Sequence, residues 1–301
     1  MRKALKIVAF LLAALVIIAG ALGLAVTPLS ERKRTRVIEF PVAPVAYTSD
    51  AAAISRGRYL FNSRGCMECH GADGGGREIY NDPGGLYVKS PNISPGPGSV
   101  VKDYREVDWV RTIRHGVSPQ KHPLFLMPSK DYNLMTDADI AAMVAYARSL
   151  PPATGTGAVV RLPLLVAGLY ASGVVKDDAE LIDHAVPPPA PVPEAVTPEH
   201  GAYVIPMCKG CHGEGLSGGP VPGAPPDWPP AANLTPGEGS AMVRYDSVDK
   251  FMAMLRTGKR PDGSAVSKVM PFPTLGNLNE TDVGAIYVYL KSVPARPAGN
   301  R

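Results

Sequence analysis

The chain has 301 residues, 45% of them apolar, which is enough material for two ordinary domains and their cores. Its formal charge of +4 sits in Arg2, Lys3, Lys6, Arg32, Lys33, Arg34 and Arg36; without those seven and Glu31, residues 37–301 hold 24 basic against 26 acidic side chains. No clustered basic face is left to support nucleic-acid binding, and 31 Gly with 32 Pro point to many loops around modest regular structure.

In chain order, the first feature is Ile7–Val26, twenty residues without a charge between basic flanks. That length matches a helix spanning a bilayer. A cleaved signal peptide competes, with Gly23-Leu24-Ala25 as a small-x-small cleavage site. The basic run directly after the segment is an awkward start for an exported mature protein, so residues 1–36 are read as an uncleaved membrane anchor. No Cys follows it to carry a lipid, and the similar Lys/Arg content of its flanks does not fix orientation. On either reading, residues 37–301 lie outside the cytoplasm.

Residues 50–151 form a first module. A short helix carries Gly57 and Tyr59, and "CMECH" follows at 66–70. Gly- and Pro-rich loops with little strand character come next. A last helix is signalled by Thr136 with Asp139 at its N-cap and by Ile140, Met143, Val144, Ala147 and Leu150 at helical spacing, ending at Pro151. In the connector, 152–197, the apolar stretch 158–172 is too short and too interrupted by Pro163 to span a membrane, and is expected to pack on the domains. Residues 185–198 contain six prolines and read as an extended, semi-rigid spacer.

Residues 198–295 then repeat the first module. "CKGCH" at 208–212 echoes "CMECH", with Cys208 lying 142 positions after Cys66. "SPNISPG" around Asn92 matches "AANLTPG" around Asn233, "DWVRTIRHG" matches "KFMAMLRTG", and "LMPS" at Met127 matches "VMPF" at Met270. The final helix recurs with Asn279 and Asp282 at its start, Val283, Ile286, Tyr287, Leu290 and Val293 along one face, and Pro294 at its end.

The two motifs use every Cys in the chain. Structural zinc draws its Cys pairs together within a short span, whereas these pairs are 142 residues apart in separate copies. A redox C-x-x-C belongs beside a βαβ pattern, which is absent. Disulfides remain open outside the cytoplasm, but they leave the His after each pair unexplained. Covalent haem c accounts for all five positions: two thiols add to the porphyrin vinyl groups and the following imidazole reaches the iron. Cys66 and Cys69 would hold one haem with His70 on its iron, and Cys208 and Cys211 a second with His212. The glycines after each motif, Gly74–Gly76 and Gly218–Gly219, suit a backbone passing close to a flat ring.

The second axial position separates carrier from enzyme. Met127 and Met270 are each followed by Pro and lie 57 and 58 residues after their His. A lone Met is more often core filler, the reading given to Met143, Met252 and Met254. The matched places of Met127 and Met270 point to ligation instead. His115, His122 and Met135 compete in the first module, His122 most seriously; the second module has no His in the corresponding loop. His184 and His200 read as surface or supporting residues. Thioether ligation would saturate both irons and raise their potential, the profile of an electron carrier.

On "CMECH"/"CKGCH", the "PNI" and "ANL" loops, "MP", and a last helix ending "SLP"/"SVP", each module resembles a class I cytochrome c domain. The tandem resembles the cytochrome c subunits of bacterial membrane-bound alcohol and sugar-acid dehydrogenases over nearly everything after residue 50. The resemblance implies an all-α fold, two class I cytochrome c domains in tandem after an N-terminal transmembrane helix. It implies that the carbonyls of Pro91 and Ala232 fix the His rings, and that Gly57 and Gly201 let the first helix of each module cross the last against Tyr146 and Tyr289. Those subunits usually carry three haem domains and this chain has two, which puts quinone-reducing chemistry in doubt. The expected protein is a dihaem cytochrome on the bacterial cytoplasmic membrane, its haem domains in the periplasm. It would pass electrons from a dehydrogenase or quinol-oxidising complex to a terminal oxidase or other acceptor, alone or within a larger complex. The rival is a dihaem enzyme, a peroxidase or thiosulfate dehydrogenase, with one open or unusual haem ligand.

Overall fold

The computed structural model describes residues 2–225 and 227–301, apart from the side chains at 2, 4, 5, 8, 9, 11, 15–19, 21 and 22. The chain opens with α1, Arg2–Arg34, one helix that runs through Pro28. The first module contains α2 (Ala51–Ser63), α3 (Cys66–His70), a hairpin of β1 (Glu78–Asn81) and β2 (Tyr87–Lys89), α4 (Glu106–His115), α5 (Ser129–Tyr132) and α6 (Asp137–Ser149). The connector supplies β3 (Val159–Arg161), α7 (Leu164–Ala171) and a 3-10 turn over Asp178–Glu180. The second module contains α8 (Pro198–Val204), α9 (Pro206–His212), a 3-10 turn over Ala241–Arg244, α10 (Val248–Thr257), α11 (Phe272–Leu275) and α12 (Glu280–Ser292).

Local chemistry sets these boundaries. Asp50, Thr136, Thr197 and Asn279 each accept the backbone N–H three residues on, satisfying a donor that has no intrahelical partner. The apolar face of α6 (Ile140, Met143, Val144, Ala147) packs on Leu60 and Phe61 of α2 in one core, and Val283, Ile286 and Leu290 of α12 pack on Val204 and Ile205 in a second. Burying each Leu or Ile of these clusters contributes about 1.5–3 kcal/mol. The first and last helices of each module cross at a glycine. A Cβ on Gly57 would stand 2.8 Å from that of Tyr146, and one on Gly201 would stand 2.5 Å from that of Tyr289.

Two expectations are corrected. The fold is not all-α: β1, β2 and β3 form an antiparallel sheet in that order, with Asn81 opposite Tyr87, Tyr87 opposite Arg161 and Lys89 opposite Val159. Asp82-Pro83-Gly84-Gly85 closes the hairpin, Gly85 with φ 91°, and the third strand comes from the connector. Second, among the described residues no helix is long and apolar enough to cross a membrane. The expected transmembrane helix over 7–26, and with it the assignment to the cytoplasmic membrane with periplasmic haem domains, is not supported. The C-terminal part of α1 is committed to protein contacts: Val26 lies against Gly168, Ser30 is buried, and the Lys33 ammonium donates to the Tyr170 carbonyl at 2.9 Å. Arg36 makes a two-pronged ion pair with the fully buried carboxylate of Asp177, both bonds 2.7 Å.

The two modules meet through a pair of reciprocal contacts. Tyr59 of α2 donates to Asp282 at the start of α12 (2.5 Å), and Tyr203 of α8 donates to Asp139 at the start of α6 (2.6 Å). Asp282, wholly buried, also takes Arg64 at 2.6 Å and His200 Nε2 at 2.7 Å. Asp139 takes Arg56 through two bonds of 2.9 and 3.1 Å at a more open site.

Candidate functional site

Gly65, in the left-handed region with φ 87°, turns the chain out of α2 and into α3, so that Cys66 falls inside the core while Cys69 and His70 follow at its edge. Gly76 N–H donates to the His70 carbonyl at 2.9 Å, and in the second module Gly218 N–H does the same to His212 at 2.9 Å. At both glycines φ is positive, and a side chain would strike the backbone of residues 90–91 or 231–232. That crowding by protein backbone requires glycine there.

The backbone so held presents a carbonyl to each imidazole. His70 Nδ1 donates to Pro91 O at 3.1 Å and His212 Nδ1 to Ala232 O at 2.8 Å. A carbonyl only accepts, so Nδ1 carries the proton and Nε2 keeps its lone pair for a metal. Burial lowers the pKa of both rings, favouring the neutral form that ligates. None of the four cysteines is in a disulfide. Burial, followed by the charge of Cys69, pushes the Cys66 thiol up to about 12.

The Met segment that lines the cavity beside each His is built the same way in both copies. Ser129 N–H donates to the Met127 carbonyl and Phe272 N–H to the Met270 carbonyl, each at 2.8 Å, across prolines of near-identical backbone angles. Cys66, Cys69, His70 and Met127 line one apolar cavity of about 700 Å³, walled by residues that include Trp109 and Tyr132. That is the size and character of a site for a large apolar cofactor. Cys208, His212 and Met270 line a second of about 110 Å³, with Cys211 exposed beside it. Both donor sets suit a c-type haem: two thiols for the vinyl groups, one imidazole with a bare Nε2, and one thioether. The first cavity has the room for the ring; the second is smaller, and its thiols are more exposed than those of the first. The competing ligands point elsewhere. His115 Nδ1 lies 3.1 Å from His184 Nδ1, and His122 Nδ1 lies 3.3 Å from the Arg36 carbonyl; neither lines the first cavity, and neither does Met135.

Sequence reasoning missed the residues that support this arrangement. Asn92, fully buried, donates to the carbonyls of Pro97 (3.0 Å) and Ala153 (2.8 Å) and accepts from Ser94 N–H and Oγ–H, both 2.8 Å. Asn233 repeats this with Glu238, Arg296 and Thr235. These side chains pin the loops that hold Pro91 and Ala232 against the imidazoles. The signal was present as a matched Asn-x-Ser/Thr in each copy, a sequence able to bond its own backbone two residues on. Tyr132 was also missed; its hydroxyl donates to the Arg64 carbonyl at 2.9 Å and ties the Met127 segment to the start of the Cys helix.

The Met segment of each module also touches the Cys helix of the other. α5, which follows Met127-Pro128, packs on α9, and Lys130 pairs with Glu214 at 2.5 Å. Thr274 of α11, which follows Met270-Pro271, donates to Glu68 of "CMECH" at 3.0 Å.

The cytochrome c family model matches residues 54–151. The chain is 27% identical over 292 residues to the fructose dehydrogenase cytochrome subunit of Gluconobacter japonicus, covering 87% of the chain and 57% of the relative. It is 27% identical over 290 residues to the cytochrome c subunit of the quinone alcohol dehydrogenase of Gluconobacter oxydans, covering 84% and 57%. It is 26% identical over 280 residues to the gluconate 2-dehydrogenase cytochrome c subunit of Pantoea cypripedii, covering 82% and 61%. The chain thus carries a cytochrome c domain and is homologous to cytochrome c subunits of dehydrogenases, at low identity and over little more than half their length. The family implies covalent haem c, with its iron.

Proposed function

We propose that this cytochrome c carries two haems and relays electrons from a partner dehydrogenase, through one module and then the other, to a downstream acceptor. Cys66 and Cys69 would anchor the first haem, with His70 and Met127 on its iron; Cys208 and Cys211 would anchor the second, with His212 and Met270. Bound haem supplies one-electron chemistry; the chain's residues hold the ring, fix the imidazole tautomer and exclude water from the first site.

The observation that carries this reading is the reciprocal packing of each Met segment on the other module's Cys helix. Electron transfer weakens steeply with distance, so a relay needs its two cofactor sites adjacent and rigidly oriented. Lys130–Glu214, Thr274–Glu68 and the Asp282 cluster tie the two modules together and support such an arrangement. The homology to dehydrogenase cytochrome subunits supports a dehydrogenase as donor. Haem per chain and a redox titration test it: two covalent haems and two one-electron waves are expected, one lost in Cys66→Ala/Cys69→Ala and the other in Cys208→Ala/Cys211→Ala. Met127→Ala or Met270→Ala leaving its haem spectrum unchanged would overturn the ligand assignment. Substantial peroxidase turnover by the intact protein would favour the dihaem enzyme instead.

A further inference from the structure

We propose that Asp131, a residue of the first module, is the group through which reduction of the second haem takes up a proton; this rests on the dihaem reading above. Asp131 sits on α5, which packs on α9, the helix carrying Cys208, Cys211 and His212. The charged groups that face it are Lys130 on its own helix, Asp178 on the 3-10 turn, Lys209 on α9 and Glu214 just beyond it. All four have other partners. Lys130 and Lys209 both pair with Glu214, at 2.5 and 3.4 Å, and the Asp178 carboxylate accepts the Lys130 backbone N–H at 2.8 Å. Asp131 lies half-buried between these elements, and among the described residues its carboxylate has neither a hydrogen bond nor an ion pair.

A carboxylate so placed binds a proton more readily than one in water. Burial, and after it the negative charge of Asp178, raise Asp131 to about 7. Its charge also reaches the second attachment site: after burial, Asp131 is the next cause pushing up the Cys208 thiol, and it raises Cys211 as well. The ionised form of Asp131 is therefore favoured beside ferric iron and disfavoured once that positive charge is cancelled. The step balances as one electron from a one-electron donor, the dehydrogenase, converting ferric to ferrous iron, while one proton from solvent forms an O–H bond on the Asp131 carboxylate. The net charge at the site is unchanged.

The test is a spectroscopic redox titration of the full haem-loaded chain across pH, with haem counted per chain. In the wild type, the wave of the second haem should fall as pH rises through about 6–8, by at most about 59 mV per pH unit for one proton per electron. Asp131→Asn, which removes charge but not shape, should hold that wave flat at the wild type's acid limit, while Asp131→Glu should keep the slope. The wave of the first haem is the internal reference and should move less. Two haems per chain with a pH-independent second wave would overturn the proposal and leave the relay intact. An Asn variant that keeps the slope would do the same, assigning the proton to the haem propionates. A chain that binds a single haem would overturn the relay, and this proposal with it.

Discussion

Asp282→Ala should separate the modules far more than its counterpart Asp139→Ala. Asp282 is fully buried and takes Arg64, Tyr59 and His200 at 2.5–2.7 Å. Removing it leaves the Arg64 guanidinium, 7% exposed, with only its neighbour Ser63. It also leaves His200, 1% exposed and already without a partner at Nδ1, with neither ring nitrogen bonded. Orphaning one member of a buried pair costs about 3–5 kcal/mol, and the stranded imidazole pushes the loss toward the top of that range. Asp139→Ala strips a similar set of bonds, but Arg56 is 25% exposed and keeps Glu194 at 3.2 Å, so its loss should be about 1–2 kcal/mol. Guanidinium unfolding of the haem-loaded protein, followed at the haem bands and by far-UV dichroism, measures both. Replacing both members of the ion pair with apolar groups, Arg64→Met with Asp282→Leu, should recover the part of the loss that comes from the stranded guanidinium and leave that of His200. Equal costs at the two aspartates, or a loss under about 1 kcal/mol at Asp282, would refute burial as the source of the difference.

Gly57→Ala should cost about 1–3 kcal/mol by forcing α2 off α6, read as a drop in the melting temperature of the loaded protein. Asn92→Ala strands the carbonyls of Pro97 and Ala153, a loss of about 1–3 kcal/mol; because it also frees the loop holding Pro91, the first haem's potential should shift, whereas a merely local defect would leave it fixed. Met127→His should keep the haem attached but lower its potential by a sizeable part of the roughly 0.8 V that axial ligands span. The second site, whose thiols are the more exposed, should hold the lower-potential haem, since solvent favours the ferric charge. For pH, the raised Asp131 binds more protons folded than unfolded, so its contribution is full below the ordinary carboxylate range and declines as pH rises through about 7. Asp131→Asn should flatten that decline in urea midpoints measured from about pH 5 to pH 8.

Features with a short sequence period were legible. The caps at Thr136 and Asn279, the helices behind them, the crossings at Gly57 and Gly201 and the carbonyls on both imidazoles all follow from spacing within a module or from its resemblance to known domains. The sheet was missed because its strands are three or four residues long and its third member lies about seventy positions after its partner. The course of α1 was misread because an uncharged run is judged on its own composition, whereas α7 and Asp177 hold the end of this helix against protein. Arg64, His200 and Asp282 lie 82 and 218 residues apart along the chain, and no local pattern marks such a cluster. Asp131 stands in no motif; the elements that pack around it, the connector's 3-10 turn and the second module's Cys helix, are remote in sequence.

The reciprocal tyrosine–aspartate contacts have the form of an isologous dimer interface placed inside one chain. Two identical subunits facing each other must share every residue, so a change that tunes one cofactor site tunes both equally. Gene duplication removes that constraint while keeping the geometry. Here one aspartate has gathered Arg64 and His200 around it and the other has stayed more open, and one cavity is large and the other small. A fused pair can thus be graded from one end to the other, which is what a conductor needs if charge is to leave by a different door from the one it entered.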